Sequence, residues 1–218
     1  FAHVSWIDAT RLSFLWGDEF NISQIFSIDL ESGELRQLTH SATDITQFQV
    51  HRDGNAIYKV RALPDAARSK ALWHEGFTVN NYELLSVLRG DADGFDFYDA
   101  QMSFDTMIQL AGQTQARRIL LNGTSATRTT GSTLQLSPDG RLAVVLGTPA
   151  VIPEHWYRFD NPHLQRFIRE FREAGPDAPG GRLVRQLFLV DLEKGTSRAL
   201  WDAPHSVGPM TLAWSADS

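Results

Sequence analysis

The sequence contains no cysteine, which excludes disulfide bonds, thiol nucleophiles and cysteine-bound metal sites. This absence is equally compatible with a cytoplasm and a periplasm, so it assigns no compartment. No apolar run approaches the roughly 18 residues of a membrane-spanning helix. The formal net charge of −6 disfavours nucleic acid as a partner, because nucleic-acid binding requires clustered Lys and Arg.

Known catalytic motifs are also missing from the sequence. Many serine hydrolases carry their nucleophile in Gly-x-Ser-x-Gly, and the similar stretch at residues 123–126 lacks the second glycine. The histidines are scattered and form no His-Glu-x-x-His zinc pair. They are His3, His40, His51, His74, His155, His163 and His205. We therefore expect no catalytic residue and no cofactor in this chain.

What the sequence does contain is an internal repeat. A short apolar strand followed by a polar turn recurs at residues 48–54, 134–140 and 212–218, with a looser copy at residues 4–10. A second unit, an apolar strand with Asp-Leu and a glycine turn, recurs at residues 25–39 and 187–201. Internal repeats of this size are the strongest guide to the fold.

Each repeat unit predicts two β-hairpins. In the first unit, Gly33 stands at a turn between two apolar strands, where a positive φ is needed. Four short antiparallel strands cannot bury both faces alone, so such units stack around an axis as propeller blades. Equivalent positions of the first two units lie about 40 to 50 residues apart, the spacing of a four-stranded blade. The predicted fold class is an all-β propeller.

We predict one partial propeller domain over residues 1–218. Its predicted parts are blade 1 at about 1–40, blade 2 at about 45–121 with an insertion at 61–101, blade 3 at about 131–201 with an insertion at 148–182, and the opening strand of a further blade at 208–218. A degenerate blade near residues 95–110 is the alternative to the first insertion. Three blades and a strand cannot close a ring, and open edges pair with other chains. We expect a longer protein, or a ring completed by another chain.

Two motifs resemble a known family. Residues 137–143 and the Asp-Leu-x-x-Gly segments at 29–33 and 191–195 resemble the TolB-type propeller repeat, which is WD40-like. The same repeat builds the N-terminal propeller of the prolyl oligopeptidase family, including dipeptidyl and acylaminoacyl peptidases. Residues 151–157 look like a Val-Pro-x-x-Trp segment of bacterial relatives of these peptidases. The first blade lacks Ser-Pro-Asp-Gly, and so does the last turn.

This resemblance implies the non-catalytic propeller of a serine peptidase, which is a hydrolase. Such a propeller restricts the access of peptides to an α/β-hydrolase domain that carries the Ser, Asp and His. The implied partners are the remainder of the propeller, that hydrolase domain and a peptide substrate, with no nucleic acid and no membrane span. The alternative is a TolB-like propeller for protein binding, with no hydrolase attached.

The second insertion contains the one predicted helix, at residues 163–174. Asn161 can cap it, and Pro162 suits its first position. An apolar stripe with helical spacing runs along one face: Leu164, Phe167, Ile168 and Phe171. This stripe either packs on the propeller itself or faces a partner domain or a substrate cavity.

Several aromatic and polar residues of the two insertions are candidates for peptide or partner contact. They are Trp73, His74, Glu154, His155, Trp156, Glu170 and Glu173. Those of the first insertion either line a ligand cleft or belong to a surface hairpin. The dipeptidyl peptidase branch holds the substrate amine with adjacent glutamates, and this chain has no such pair. We expect the remaining tryptophans to pack between blades: Trp6, Trp16, Trp201 and Trp214.

The densest acidic stretch of the chain is a weak calcium candidate. Its carboxylates are hard oxygen ligands, and they come from Asp91, Asp93, Asp96 and Asp99. Phe95 stands where an EF-hand-type loop would supply a further ligand, so a solvated Asp-Gly turn is the alternative. We expect no other metal site.

Overall fold

A computed structural model of the chain describes residues 2–61, 104–121, 133–175, 184–205 and 212–215. These residues form three four-stranded antiparallel sheets, each with its strands paired in chain order. No helix in the described part is long and apolar enough to cross a membrane.

The strands have the following bounds. Sheet 1 consists of β1 (Ala2–Trp6), β2 (Arg11–Gly17), β3 (Ser23–Asp29) and β4 (Leu35–Gln37). Sheet 2 consists of β5 (Ile45–Val50), β6 (Ala56–Arg61), β7 (Phe104–Gln109) and β8 (Arg117–Arg118). Sheet 3 consists of β9 (Leu134–Leu136), β10 (Leu142–Gly147), β11 (Gln186–Asp191) and β12 (Thr196–Ala199). The helices are a 3-10 helix (Glu154–Arg158) and α1 (Pro162–Ala174), both between β10 and β11.

The aspartates of the repeat fold the turns between strands. Asp8, Asp53 and Asp139 each accept a hydrogen bond from the amide two residues further on, at 2.9 to 3.1 Å. A short carboxylate that binds nearby backbone amides stabilises a turn over a continued strand. The repeated Asp therefore reverses the chain between the first and second strand of every sheet.

The repeated Asp-Leu-x-x-Gly segment forms the turn between the third and fourth strands. In sheet 1, Gly33 donates its amide to the Asp29 carbonyl at 2.8 Å, and in sheet 3 Gly195 does the same to Asp191 at 2.9 Å. Both glycines have a positive φ, +71° and +68°, which costs least at glycine. The predicted need for a positive φ at Gly33 is confirmed.

The three sheets stack face to face, and we call the two contact layers between them seams. Seam 1–2 joins sheets 1 and 2, and seam 2–3 joins sheets 2 and 3. The buried residues of seam 1–2 are Leu15, Ile25, Ile45, Phe48, Ala56, Tyr58 and Val60. Those of seam 2–3 are Ile57, Ile108, Ile119, Leu121, Leu134, Ala143, Val145, Phe188, Val190 and Leu192. Alternate residues of β6 contribute to opposite seams, as strand geometry requires.

Successive sheets with shared seams are consecutive blades of a propeller. The first strand of sheet 2, β5, contacts both β3 of the sheet before it and β9 of the sheet after it. The sheets form no closed ring. The predicted all-β propeller of four-stranded blades with a helical insertion is therefore confirmed.

Three of the tryptophans expected to pack between blades are covered by no described blade, so for them that expectation stays a prediction. Trp6 and Trp16 are 62% and 46% exposed on the face of sheet 1 that points away from sheet 2, and Trp201 is 45% exposed after β12. Trp214 packs with Leu212 against the outer face of sheet 3. Residues 212–215 form no strand, although they lie within the predicted opening strand at 208–218.

Candidate functional site

The two long connections of the chain leave from the same end of their blades. In sheet 2 the chain leaves after Arg61, which pairs with Phe104, and in sheet 3 it leaves after Gly147, which pairs with Gln186. Each pair joins the end of a second strand to the start of a third. Second-to-third connections of stacked blades lie at one end, so we call this the insertion end. The turns of the repeat lie at the opposite end.

The insertion of sheet 3 begins with the 3-10 helix and continues into α1. The Asn161 side chain accepts the Leu164 amide at 3.0 Å, and Pro162 is the first helical residue. An Asn cap satisfies an amide that has no partner within the helix, and proline loses nothing at this position. The predicted start of the helix agrees with the structure.

The apolar stripe of α1 is buried within the insertion itself. Its four residues form a separate core with residues from the 3-10 helix, the segment before it and the approach to β11. That core consists of Ile152, Trp156, Leu164, Phe167, Ile168, Phe171 and Val184. Burial of these side chains makes the insertion a packed body, and the stripe faces no partner domain.

Asp202 fastens the insertion to the end of sheet 3. Its carboxylate accepts the indole N–H of Trp156 at 2.9 Å and lies 3.2 Å from Nε2 of His155. Trp156 is fully buried, whereas the His155 side chain is 50% exposed. Of these two candidates, Trp156 therefore supports the insertion from inside, and His155 is on its surface. No motif points to Asp202, which lies 46 residues from Trp156 along the chain.

The acidic candidates lie on the outer surface of the insertion. Glu154 and Glu173 are exposed. Glu170 accepts a hydrogen bond from Arg166 at 3.0 Å, one helical turn away. Such exposed pairs contribute little to stability, so these carboxylates remain accessible to a ligand. Their proposed contact with a peptide stays a prediction.

Three exposed apolar residues lie near the insertion or the strand next to it. Val151 is 75% exposed, Phe159 is 39% exposed and Trp201 is 45% exposed. They flank the 3-10 helix and the end of β12 in the chain. Exposed apolar side chains are ordinary where they are scattered singly, so these three do not define a contact surface by themselves.

A buried lysine lies in seam 2–3, toward the insertion end. Lys59 is 1% exposed, and its Nζ lies 3.5 Å from the Thr133 carbonyl. Burial, together with the charge of Arg185, lowers the pKa of Lys59 to about 7. The Thr106 hydroxyl is on the neighbouring strand in register with Lys59, and it has no hydrogen-bond partner in the described part of the chain. From the sequence, only strand alternation indicates this burial, because it places Lys59 on the same face of β6 as the apolar Ile57.

A cleft of about 580 Å³ lies between sheets 1 and 2 at the end opposite the insertion. Both arginines of its lining are paired, with Arg36 2.8 Å from Glu34 and Arg11 2.6 Å from Asp8, which lies beside the lining. The hydrogen bond from the Arg11 side chain lowers the pKa of Asp8 to about 2. The lining carries the carboxylates of Asp29, Glu34 and Asp53 against these two arginines, a small excess of negative charge.

Six of the sequence candidates lie outside the described residues. They are Trp73, His74, Asp91, Asp93, Asp96 and Asp99. Within the described ranges, no group of three or more His, Asp and Glu side chains is placed to hold a metal ion. The calcium hypothesis stays a prediction.

Comparisons with known proteins add structural similarity only. No family model matches the chain, and no curated protein matches it. Similar solved structures include the tricorn protease, at 10% identity and a TM-score of 0.46 over 90% of this chain and 12% of that one. TolB from Acinetobacter baumannii gives 12% identity and a TM-score of 0.41 over 88% and 29%. The propeller domain of the Trilobed protease from Pyrococcus furiosus gives 10% identity and a TM-score of 0.39 over 90% and 41%.

The chain thus spans less than half the length of each of these three structures. At such identities and TM-scores, the assignment of the fold rests on the three sheets of this chain and their two seams. The propeller that the sequence resemblance implies is the fold that these blades form.

Proposed function

We propose that the chain is a non-catalytic propeller segment of a prolyl-oligopeptidase-like serine peptidase, which gates the access of peptides to a hydrolase domain. The observation that carries this proposal is the common origin of both long connections at the insertion end. Loops placed on a rigid scaffold are the usual carriers of binding function. A scaffold of rigid blades with elaborated loops at one end can admit short peptides and exclude folded proteins.

The internal core of the sheet 3 insertion supports this role. A gating element has to keep its shape against an arriving chain, and the buried Trp156 with its bond to Asp202 provides that rigidity. The exposed His155 and Glu154 next to it offer polar groups to a peptide. In this proposal the insertion supplies contacts and steric exclusion, and the hydrolase domain supplies the chemistry.

The outer face of sheet 1 is, in this proposal, covered by a further blade. Each seam pairs an aliphatic face of one sheet with a face that carries aromatic residues of the next. Ile57 and Ile108 of sheet 2, for example, pack with Phe188 of sheet 3. The outer face of sheet 1 is of the aromatic type, with Phe14 and Phe26 stacked at 6.2 Å. It therefore matches the aliphatic face of another blade.

A second candidate function is that of a TolB-like propeller that binds a protein and carries no hydrolase. The exposed Val151 and Phe159 on the insertion support it, because a protein bound at this end would cover apolar side chains that otherwise face solvent. In this case the insertion end is the binding face, and no peptide is cleaved.

Peptide hydrolysis distinguishes these two functions. We expect the longer product of this gene to hydrolyse short chromogenic peptides and to spare folded proteins, and the 218-residue chain to hydrolyse neither. Absence of hydrolysis by the longer product, with no nucleophile elbow in its sequence, would remove the peptidase proposal and leave the binding propeller.

Release of the insertion tests the gating role itself. Asp202→Ala removes the acceptor of the Trp156 indole, so we expect the longer product to lose discrimination between short and long peptides. Glu34→Ala, an exposed substitution at the opposite end, is the matched control and leaves the selectivity unchanged. Equal selectivity of both variants and the wild type would contradict a gate at the insertion end.

A further inference from the structure

The repeat turns of neighbouring blades are joined by one recurring hydrogen bond. Arg11 of the first turn donates to the Arg52 carbonyl of the second turn at 2.8 Å. In the second turn, Nε2 of His51 lies 3.0 Å from the Pro138 carbonyl of the third turn. Arg52 and Pro138 occupy the same position in their repeat units, one residue before the aspartate. At this end, each seam is thus bridged by a side-chain nitrogen of one turn that contacts the backbone carbonyl at the equivalent position of the next turn.

The two ring nitrogens of His51 both face acceptors. Nε2 faces the Pro138 carbonyl at 3.0 Å, and Nδ1 lies 2.9 Å from the Asp53 carboxylate. A carbonyl and a carboxylate only accept hydrogen bonds, and a neutral imidazole carries one N–H. The arrangement is satisfied in full only by the imidazolium, which carries two. The Asp53 amide, at 3.5 Å from Nδ1, is a much longer alternative for the neutral ring.

The surroundings of His51 hold the ring in this position. Its side chain is 12% exposed, and Gly140 of the third turn lies directly against it. A Cβ atom at Gly140 would stand 2.4 Å from Nδ1, so only glycine leaves room for the ring. Gly140, the glycine of Ser-Pro-Asp-Gly, is therefore needed for the contact with His51 across seam 2–3 as well as for its own turn.

The charged groups around this contact, other than the His51 ring, keep their charge between pH 5 and 8. Burial opposes ionisation of Asp53, but hydrogen bonds from the Asn55 amide and the His51 ring outweigh it and lower the pKa of that carboxyl. Asp139 accepts hydrogen bonds from Ser137 and the Arg141 amide, which lower its pKa. The remaining charged groups of the three turns are Asp8, Arg11, Arg52 and Arg141. Arginine keeps its charge throughout this range, whereas histidine does not.

We propose that His51 is a pH-dependent latch between the second and third blades, closed by the imidazolium and weakened when the ring loses a proton. Deprotonation removes one of the two N–H donors, so His51 can no longer donate to the Pro138 carbonyl and the Asp53 carboxylate at once, and the donor that remains is uncharged and weaker. Asp53 keeps its hydrogen bonds from Asn55 in either state. Seam 1–2 does not respond in this way, because Arg11 keeps its charge. The inference goes beyond the proposed function and does not depend on it.

Ring nitrogen shifts test the protonation state of the latch directly. In the 15N-labelled 218-residue chain, both ring nitrogens of His51 should carry protons at pH 5.5, with one lost by pH 8. A ring with a single proton throughout this range would overturn the proposal.

Amide exchange tests whether the latch controls the seam. The Leu136 amide donates across seam 2–3 to the Gln49 side chain, and the Ser23 amide donates across seam 1–2 to Asp44 at 3.0 Å. Lys59 also loses its charge in seam 2–3 near pH 7, so this experiment and the variants below use the Lys59→Met chain. After correction for base catalysis, protection of Leu136 should fall about tenfold from pH 5.5 to 8, the size expected for one charge-assisted hydrogen bond. Protection of Ser23 should stay constant.

Two glutamine variants separate the latch from other effects of pH. His51→Gln keeps a neutral donor for the Pro138 carbonyl and cannot titrate, so the fall in Leu136 protection should disappear. His40→Gln is the matched control, since His40 is exposed and its ring lies 3.1 Å from the Gln37 side chain of sheet 1, so its loss should leave the fall intact. An unchanged pH response in His51→Gln, or its loss in His40→Gln, would overturn the proposal.

Discussion

Seam 1–2 and seam 2–3 have the same apolar construction but differ in the groups that can change charge. Arg11 is the side chain that crosses from the first repeat turn to the second, and it is charged at every physiological pH. Seam 2–3 contains the buried Lys59 at one end and His51 at the other. A further cation, Arg117, reaches from β8 to the Leu192 carbonyl of sheet 3.

Blades built from the same repeat therefore need not have equivalent interfaces. The apolar residues of both seams follow from the strand alternation of the repeat, whereas the polar residues at their ends are particular to each blade. Both long connections leave the sheets that form seam 2–3. Seam 2–3, between these two sheets, is therefore the one in which we expect stability to depend on pH.

The largest expected effect is the loss of an aromatic residue from seam 2–3. Phe188 is fully buried there, so Phe188→Ala should lower the free energy of unfolding by about 4 kcal/mol through lost burial and the cavity left behind. Phe26→Ala, on the partly exposed outer face of sheet 1, should cost about 1 to 2 kcal/mol. Urea unfolding of both variants measures the difference. Equal losses would mean that the outer face is as well packed as the seam.

The next largest effect is the pH dependence caused by Lys59. Between about pH 7 and 10.5 the folded lysine is neutral while the unfolded one is charged, so the unfolded chain binds the extra proton. Raising the pH in this range therefore favours folding, by up to about 1.4 kcal/mol per pH unit. Urea unfolding at pH 7.5 and 9.5 should show this rise in the wild type.

Lys59→Met is the variant that isolates this contribution. It should be more stable than the wild type at pH 7.5, because a buried methionine has no charge to remove from water. The rise in stability toward pH 9.5 should vanish. The range stops below pH 10 because burial raises the pKa of Tyr58 to about 12. Above about pH 10, Tyr58 would ionise in the unfolded chain and not in the folded one, which would add a second pH dependence. A wild type whose stability is flat over this range would contradict the burial of Lys59.

A smaller effect separates strain in the turn from contact across the seam. Gly140 and Gly33 have the same φ of +71°, but a Cβ at Gly140 meets the His51 ring whereas none at Gly33 meets any atom within 4 Å. Gly33→Ala should cost about 1 kcal/mol, from the backbone alone. Gly140→Ala should cost about 2 kcal/mol, because the ring must also move. Thermal or urea unfolding checks both, and equal costs would show that the ring moves freely.

The smallest expected effect concerns the arginine that closes seam 1–2. Arg11→Gln should lower the free energy of unfolding by about 1 kcal/mol, equally at pH 5.5 and 8, since it loses the hydrogen bond to the Arg52 carbonyl. Arg36→Gln, which loses only an exposed pair with Glu34, should cost less than about 0.5 kcal/mol. If the cost of Arg11→Gln grows with pH, a titrating group also acts in seam 1–2, which would contradict the difference between the two seams.

Much of the fold could be predicted from the sequence because its determinants are local. Strand alternation, the turn aspartates and the turn glycines act over a few residues, and they predict the four-stranded blades. The helix is equally local, since Asn161, Pro162 and the apolar stripe define its start and its buried face. Local rules of this kind need no knowledge of the neighbouring blade.

The polar contacts between blades could not be predicted in the same way. His51 meets Pro138 across 87 residues of sequence, and Lys59 is covered by a sheet formed much later in the chain. The exposure of Trp6 and Trp16 has the same origin, because alternation predicts which face a side chain occupies and not what covers that face. These contacts between blades form only when the sheets stack.

The measurement that most directly tests the proposed function is site-specific photo-crosslinking in the full-length protein. A crosslinking amino acid at the exposed Val151 of the insertion end is compared with one at Leu30, which is 51% exposed at the opposite end. The account predicts crosslinks from position 151 to a hydrolase domain or to a bound peptide, and none from position 30. Crosslinks from position 30 alone would contradict the claim that the insertion end is the functional face of this propeller.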